Sequence, residues 1–166
     1  MKYTLTYLFV TLSSIMFSSI VWGQDRTIDK IEMLYDQGNY SKVFRKTRKL
    51  QKDSKYQNSA PVKLFEALAV YQLTKTKNKY SEKNALDNYR TFVSLDSIGE
   101  YRLTYAIYIY DLQIGLVNKI RNLEKQGKST EAKAEFQTYN QLFKHQVSYE
   151  EITATQPNVK PNSESS

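Results

Sequence analysis

The chain has 166 residues, with 24 Lys and Arg against 17 Asp and Glu, one His, no Cys, five Gly and three Pro, for a formal charge of +7. The missing cysteines exclude disulfide scaffolds, thiolate metal sites, thiol nucleophiles and a lipidated N-terminal Cys. One His leaves little for a His-based metal site or a Ser-His-Asp triad, and five glycines leave little for phosphate-cradling loops.

The first element is a leader. No charge falls between Lys2 and Asp25, and Leu8, Phe9, Val10, Leu12, Ile15, Met16, Phe17, Ile20 and Val21 form an apolar middle that ends at a small residue, Gly23. A basic start, an apolar run and a small terminal residue predict a secretory signal peptide over 1–23, cleaved after Gly23 to leave Gln24 first. The Gly-Gln junction and the Lys/Asn/Tyr/Ser-rich body resemble exported proteins of the Bacteroidota. The alternative is an uncleaved anchor, because 22 uncharged residues just span a bilayer. Cleavage removes Lys2 and lowers the formal charge from +7 to +6. Either way the body is expected outside the cytoplasm, periplasmic or outer-membrane-associated, with no transmembrane span after processing.

Helical periodicity then runs through one α-helical domain over 24–152. A helix over 27–37 carries Ile28, Ile31, Leu34 and Tyr35 and breaks at Gly38. Ser41 is the expected N-cap of a helix to about residue 52 with Val43, Phe44, Thr47 and Leu50 as its stripe. Pro61 suits the first turn of a helix over 60–74, and 81–95 follows with Ala85, Leu86, Tyr89, Phe92 and Val93. A long fifth helix over 100–126 looks apolar on most of its circumference, so Ile107, Ile114 and Val117 are expected deep in the core. A sixth helix runs over 129–151, and the polar stretch 153–166 is expected to be a disordered tail.

Six helices in three consecutive pairs raise the question of repeats. Leu34, Tyr35, Asp36, Gln37, Gly38, Asn39, Tyr40, Ser41, Lys42 and Val43 resemble the centre of a tetratricopeptide (TPR) repeat, with a Gln-Gly corner between its two helices. Gln126, Gly127, Ala132 and Phe136 repeat the corner near the end, although Gly38 and Gly127 stand 89 residues apart, not a multiple of 34. The resemblance implies an all-α fold of about three antiparallel helix hairpins, stacked as a short TPR-like solenoid. It also implies a partner-binding scaffold whose concave face is lined by first helices. Tyr35, Tyr71, Tyr101, Tyr105 and Tyr108 are then the candidate partner-binding residues, bordering a groove, with core packing as the competing role.

Lys42, Arg45, Lys46, Arg48, Lys49 and Lys52 form a basic patch opposite Val43 and Thr47. Export removes nucleic acid as a partner, leaving an acidic protein surface or an anionic envelope polymer. Other motifs carry no chemistry. Gly127-Lys128-Ser129-Thr130 lacks the P-loop glycine five positions earlier, where Asn122 stands, and no strand precedes it. His145 has no second imidazole to share a metal with. No cofactor, metal site or catalytic residue is expected. The leading function class is a non-enzymatic extracytoplasmic scaffold or adaptor binding a protein partner in a cell-envelope complex. The alternatives are a helical module holding a small ligand, glycan or peptide in a groove, and an uncharacterised carboxylate-dependent enzyme.

Overall fold

The computed structural model describes residues 25–143 and 147–154, so the predicted leader over 1–23, His145 and most of the predicted tail lie outside the described residues. The described residues form eight helices and no strand. The fold is all-α. None of these helices is long and apolar enough to cross a membrane.

Helix α1 (Arg26–Asp36) starts at Asp25, whose carboxylate accepts the Thr27 N–H at 2.9 Å as an N-cap. The same carboxylate accepts from Lys55 Nζ at 3.0 Å and the Tyr56 hydroxyl at 2.8 Å. These contacts hold it well below the usual carboxylate range. Ile28, Ile31 and Tyr35 form the buried stripe of α1. Gly38 ends the helix at φ +69°: its N–H reaches the Tyr35 carbonyl at 2.8 Å, and the Asn39 N–H reaches that of Leu34 at 2.9 Å. This paired closure is stable only where a left-handed residue carries no Cβ penalty.

The turn is tight enough that helix α2 (Tyr40–Leu50) begins before the expected cap. Its N-cap is Asn39 rather than Ser41, and the Ser41 hydroxyl accepts from Lys77 Nζ at 2.8 Å instead. Helix α2 buries Val43 and Thr47, and the Thr47 hydroxyl is satisfied by the Phe44 carbonyl at 3.0 Å.

Helix α3 (Ala60–Thr74) is the centre of the molecule. Twelve of its fifteen residues are buried, Ala67 and Ala69 letting neighbours approach between the larger Leu64, Phe65 and Leu68. Helices α1, α2 and α4 (Glu82–Leu95) pack on it, and so does α6 (Ala106–Lys125). The one charge it buries, Glu66, accepts from Gln51 Nε2 and from Lys63 Nζ at 3.5 Å, with the Arg48 guanidinium at 3.7 Å.

The long fifth helix expected over 100–126 is broken at Tyr105 (φ −104°, ψ 23°) into α5 (Glu100–Thr104) and α6. Its expected burial is also corrected. Ile109, Leu112, Leu116 and Ile120 face the core, whereas Ile107 and Ile114 are exposed and Val117 is half-buried. Ile107 and Ile109 are two residues apart, about 200° around the helix, so the apolar residues divide into two opposite stripes.

Helix α7 (Ser129–Phe143) follows a second corner with the geometry of the first. Gly127 lies at φ +72°, and the Gly127 and Lys128 N–H groups reach Glu124 and Leu123 carbonyls at 2.9 Å each. Lys119 on α6 joins Glu82 on α4 at 2.9 Å to Glu135 on α7 at 2.7 Å. The expected continuous helix over 129–151 is interrupted at residues 147 and 148, and Ser148 opens the short α8 (Tyr149–Thr153) with a capping box to Glu151. Arg121 Nε donates to the Ile152 carbonyl at 2.6 Å, seating α8 on α6. Helices α1 to α4 each pack on the next along the chain, as do α5, α6 and α7, and α1 also meets α3, α3 meets α6, α4 meets α7 and α6 meets α8.

Candidate partner-binding surface

The candidate tyrosines come together, but mainly as core. Tyr35 on α1 meets Phe65 at 5.7 Å and Tyr108 at 5.5 Å between ring centroids, both edge-to-face, and Tyr105 meets Phe65 at 5.2 Å. Such edge-to-face packing joins α1, α3 and α6 through rings whose positive edges meet negative faces. Tyr35, Tyr71 and Tyr105 are buried, Tyr108 is half-buried, and Tyr101 stays exposed, its ring stacked 6.4 Å from Tyr105.

The hydroxyls lie at the rim, where the Tyr108 O–H donates to Glu32 at 3.0 Å and Gln72 Nε2 donates to the Tyr35 oxygen at 3.4 Å. Burial pushes the Tyr105 phenol up to about 12, with the nearby Glu32 carboxylate adding to it. Burial also raises Tyr35, Tyr89 and Tyr108, the last helped by hydrogen bonding to Asp36 and Glu32. Tyr71 crosses the α3–α6 contact over Gly115, where an added Cβ would lie 1.5 Å from its hydroxyl.

Of the basic patch, Lys42, Arg45, Arg48, Lys49 and Lys52 are exposed on or just past α2, and Lys46 is half-buried. Burial and the neighbouring Lys30 lower the Lys46 pKa, so cations are crowded there. Arg48 alone of the six pairs with a carboxylate among the described residues. Lys42 and Arg45 also border an open cleft with Lys77 and Thr76.

The surface that the sequence did not single out lies on α5 and α6. Leu103 is 82% exposed, Ile107 78%, Tyr110 58% and Ile114 38%. Ile107, Tyr110 and Ile114, spaced three and four residues apart, share one side of α6, and Leu103 precedes them on α5, across the break at Tyr105. Asp111 is the only charged residue from 103 to 118. A contiguous stripe of large apolar side chains at a surface marks a contact site far more strongly than scattered ones do. Beside it, Ala106 and Gln113 form one wall of an open pocket of about 250 Å³ lined also by Tyr89, Arg102, Ile109, Leu142 and Phe143. Arg102 is held there by Asp96, whose buried carboxylate accepts its Nε at 3.1 Å and its backbone N–H at 3.0 Å.

The signal for the stripe was present as the second of two apolar periods on the same helix. Among the described residues no group of three or more His, Cys, Asp or Glu side chains could hold a metal ion. Comparison with protein-family models, curated proteins and solved structures finds no match to the chain.

Proposed function

We propose that the protein is an exported, non-enzymatic scaffold whose TPR-like helix hairpins hold a protein partner in a cell-envelope complex. The observation that carries this reading is the exposed stripe of Leu103, Ile107, Tyr110 and Ile114. Water contact with so much apolar surface is unfavourable, and a protein contact relieves it. Two further features support the reading. The matching glycine corners at Gly38 and Gly127 are those expected of repeated hairpins, and the neutral apolar stretch before Asp25 has the pattern of a secretory leader.

The scaffold acts through its surface, with the tyrosine cluster holding α1, α3 and α6 in place behind the stripe. The basic residues of α2 supply a second, electrostatic face for an acidic surface or an anionic envelope polymer.

A photo-crosslinking amino acid at Ile107, in living cells, is expected to give protein adducts that the same probe at Lys52 does not give. Absence of any protein adduct from Ile107 and from Tyr110 would overturn the reading. Mass spectrometry of the same material should find Gln24 as the first residue, and an intact Met1 would replace cleavage by anchoring. A second reading, a small ligand in the open pocket beside Arg102, is favoured only by the Tyr89, Ile109, Leu142 and Phe143 side chains in its walls. Its volume of about 250 Å³ falls just under the range of ligand sites, roughly 300–1,000 Å³.

A further inference from the structure

Resting on the reading that the stripe is a protein contact, we infer that its occupant is the same stripe of a second copy, paired antiparallel about a two-fold axis. The first ground is spacing. On α6, Ile107, Tyr110 and Ile114 follow the three-four alternation by which one helix seats its side chains between those of another, and Leu103 lies four residues earlier on α5, across the break at Tyr105. Ile107 and Tyr110 exchange places when α6 is reversed. An antiparallel copy centred between them therefore sets Ile107 against Tyr110 of the second copy. That contact then occurs twice, as an isologous interface requires.

The second ground is charge. Two copies of a chain with a formal charge of +7, or +6 without Lys2, repel each other through most of their surface. Residues 103–118 hold no cation, while exposed Lys42, Arg45, Arg48, Lys49 and Lys52 are carried by α2 and its end. The single charge in that span, Asp111, is already engaged by Gln72 Nε2 at 3.3 Å. An acidic partner would be drawn to α2 instead. The stripe therefore suits an uncharged, apolar counterpart, which a second copy carries by construction.

The third ground is area. With roughly 200 Å² for a fully exposed large side chain, the four residues present about 500 Å² per copy and about 1,000 Å² per pair, the lower bound of a specific interface. Edge positions leave the approach open, since Thr104 and Ala106 are small.

The chain contains no cysteine, so introduced cysteines report pairing without background. The protein isolated from its cells is expected to sediment as a dimer at roughly 50 µM, a concentration suited to so small an interface. Ile107→Asp should weaken association at least tenfold by forcing a carboxylate into the seam, with the helical circular-dichroism spectrum unchanged. Chains carrying Ile107→Cys mixed with chains carrying Tyr110→Cys should form the mixed disulfide faster than either forms its own. Faster same-residue disulfides would overturn the antiparallel arrangement. A monomer whose Ile107 photo-adduct is a different protein would overturn the second copy while leaving the protein-contact reading intact. A monomer with no protein adduct at all would overturn both.

Discussion

A Cβ on Gly115 would sit 1.5 Å from the Tyr71 hydroxyl oxygen and 2.7 Å from the ring carbon that bears it, inside a contact that buries Tyr71. The clash is with the outer end of the Tyr71 ring, which must shift within its buried contact before a methyl group fits, so the cost is one of space. Gly115→Ala should destabilise by about 1–3 kcal/mol in urea unfolding, as overpacking does. Adding Tyr71→Leu should recover part of that loss, because the clashing atoms are gone. Gly38 is the opposite case: a Cβ there meets nothing within 4 Å, but φ is +69°. Its cost is backbone strain alone, and Gly38→Val should lose more than the roughly 1 kcal/mol of an ordinary helical glycine change. An unchanged unfolding midpoint would contradict the strained corner.

Helix α6 shows how far periodicity carries a prediction and where it stops. Helix α1 bears a single stripe, Ile28, Ile31 and Tyr35, and for such a helix counting apolar positions finds the buried face directly. On α6 the count finds two faces, and their assignment depends on which neighbours are present. Helix α3, packed with Ala67 and Ala69, accepts neighbours on nearly every side and takes the central place that the longer segment was expected to fill. Leu112 faces that core and is fully buried, so Leu112→Ala should cost about 2–5 kcal/mol. Ile107→Ala should change monomer stability by no more than about 0.5 kcal/mol, as exposed substitutions do. Equal losses at both positions in urea titrations would show the two stripes wrongly assigned. The start of α8 was legible and overlooked. Ser148 followed by Glu151 is a capping box, which marks a fresh helix start rather than the continuation of an old one.

The tyrosines act together at the scale of the whole molecule. Their prominence in the sequence located the meeting of α1, α3 and α6, yet composition could not tell a ring that lines a groove from one that fills it. Burial raises Tyr35, Tyr89, Tyr105 and Tyr108 above the ordinary value of 10.0, Tyr105 to about 12. A phenol whose folded pKa is raised favours the folded state below its unfolded pKa and loses that contribution as pH rises through the folded one. Stability should therefore fall between pH 10 and about 12, with phenolate absorbance near 295 nm delayed until unfolding. Tyr105→Phe should flatten the fall, at a small packing cost. A midpoint insensitive to pH over that window would mean that the hydroxyls are solvated in the fold. The exposed stripe was less legible than the core because exposure is a property of the assembled helices.

Most helices here rest on the next helix along the chain, and the additional contacts, α1 with α3, α3 with α6 and α4 with α7, skip only one or two elements. Folding such a topology closes short loops in succession, so the entropy lost before each contact forms is small and the search is fast. Helices α1 to α4 can pack as soon as they are available, before α7 exists to help them. A chain synthesised N-terminus first thus acquires structure in the order of its synthesis.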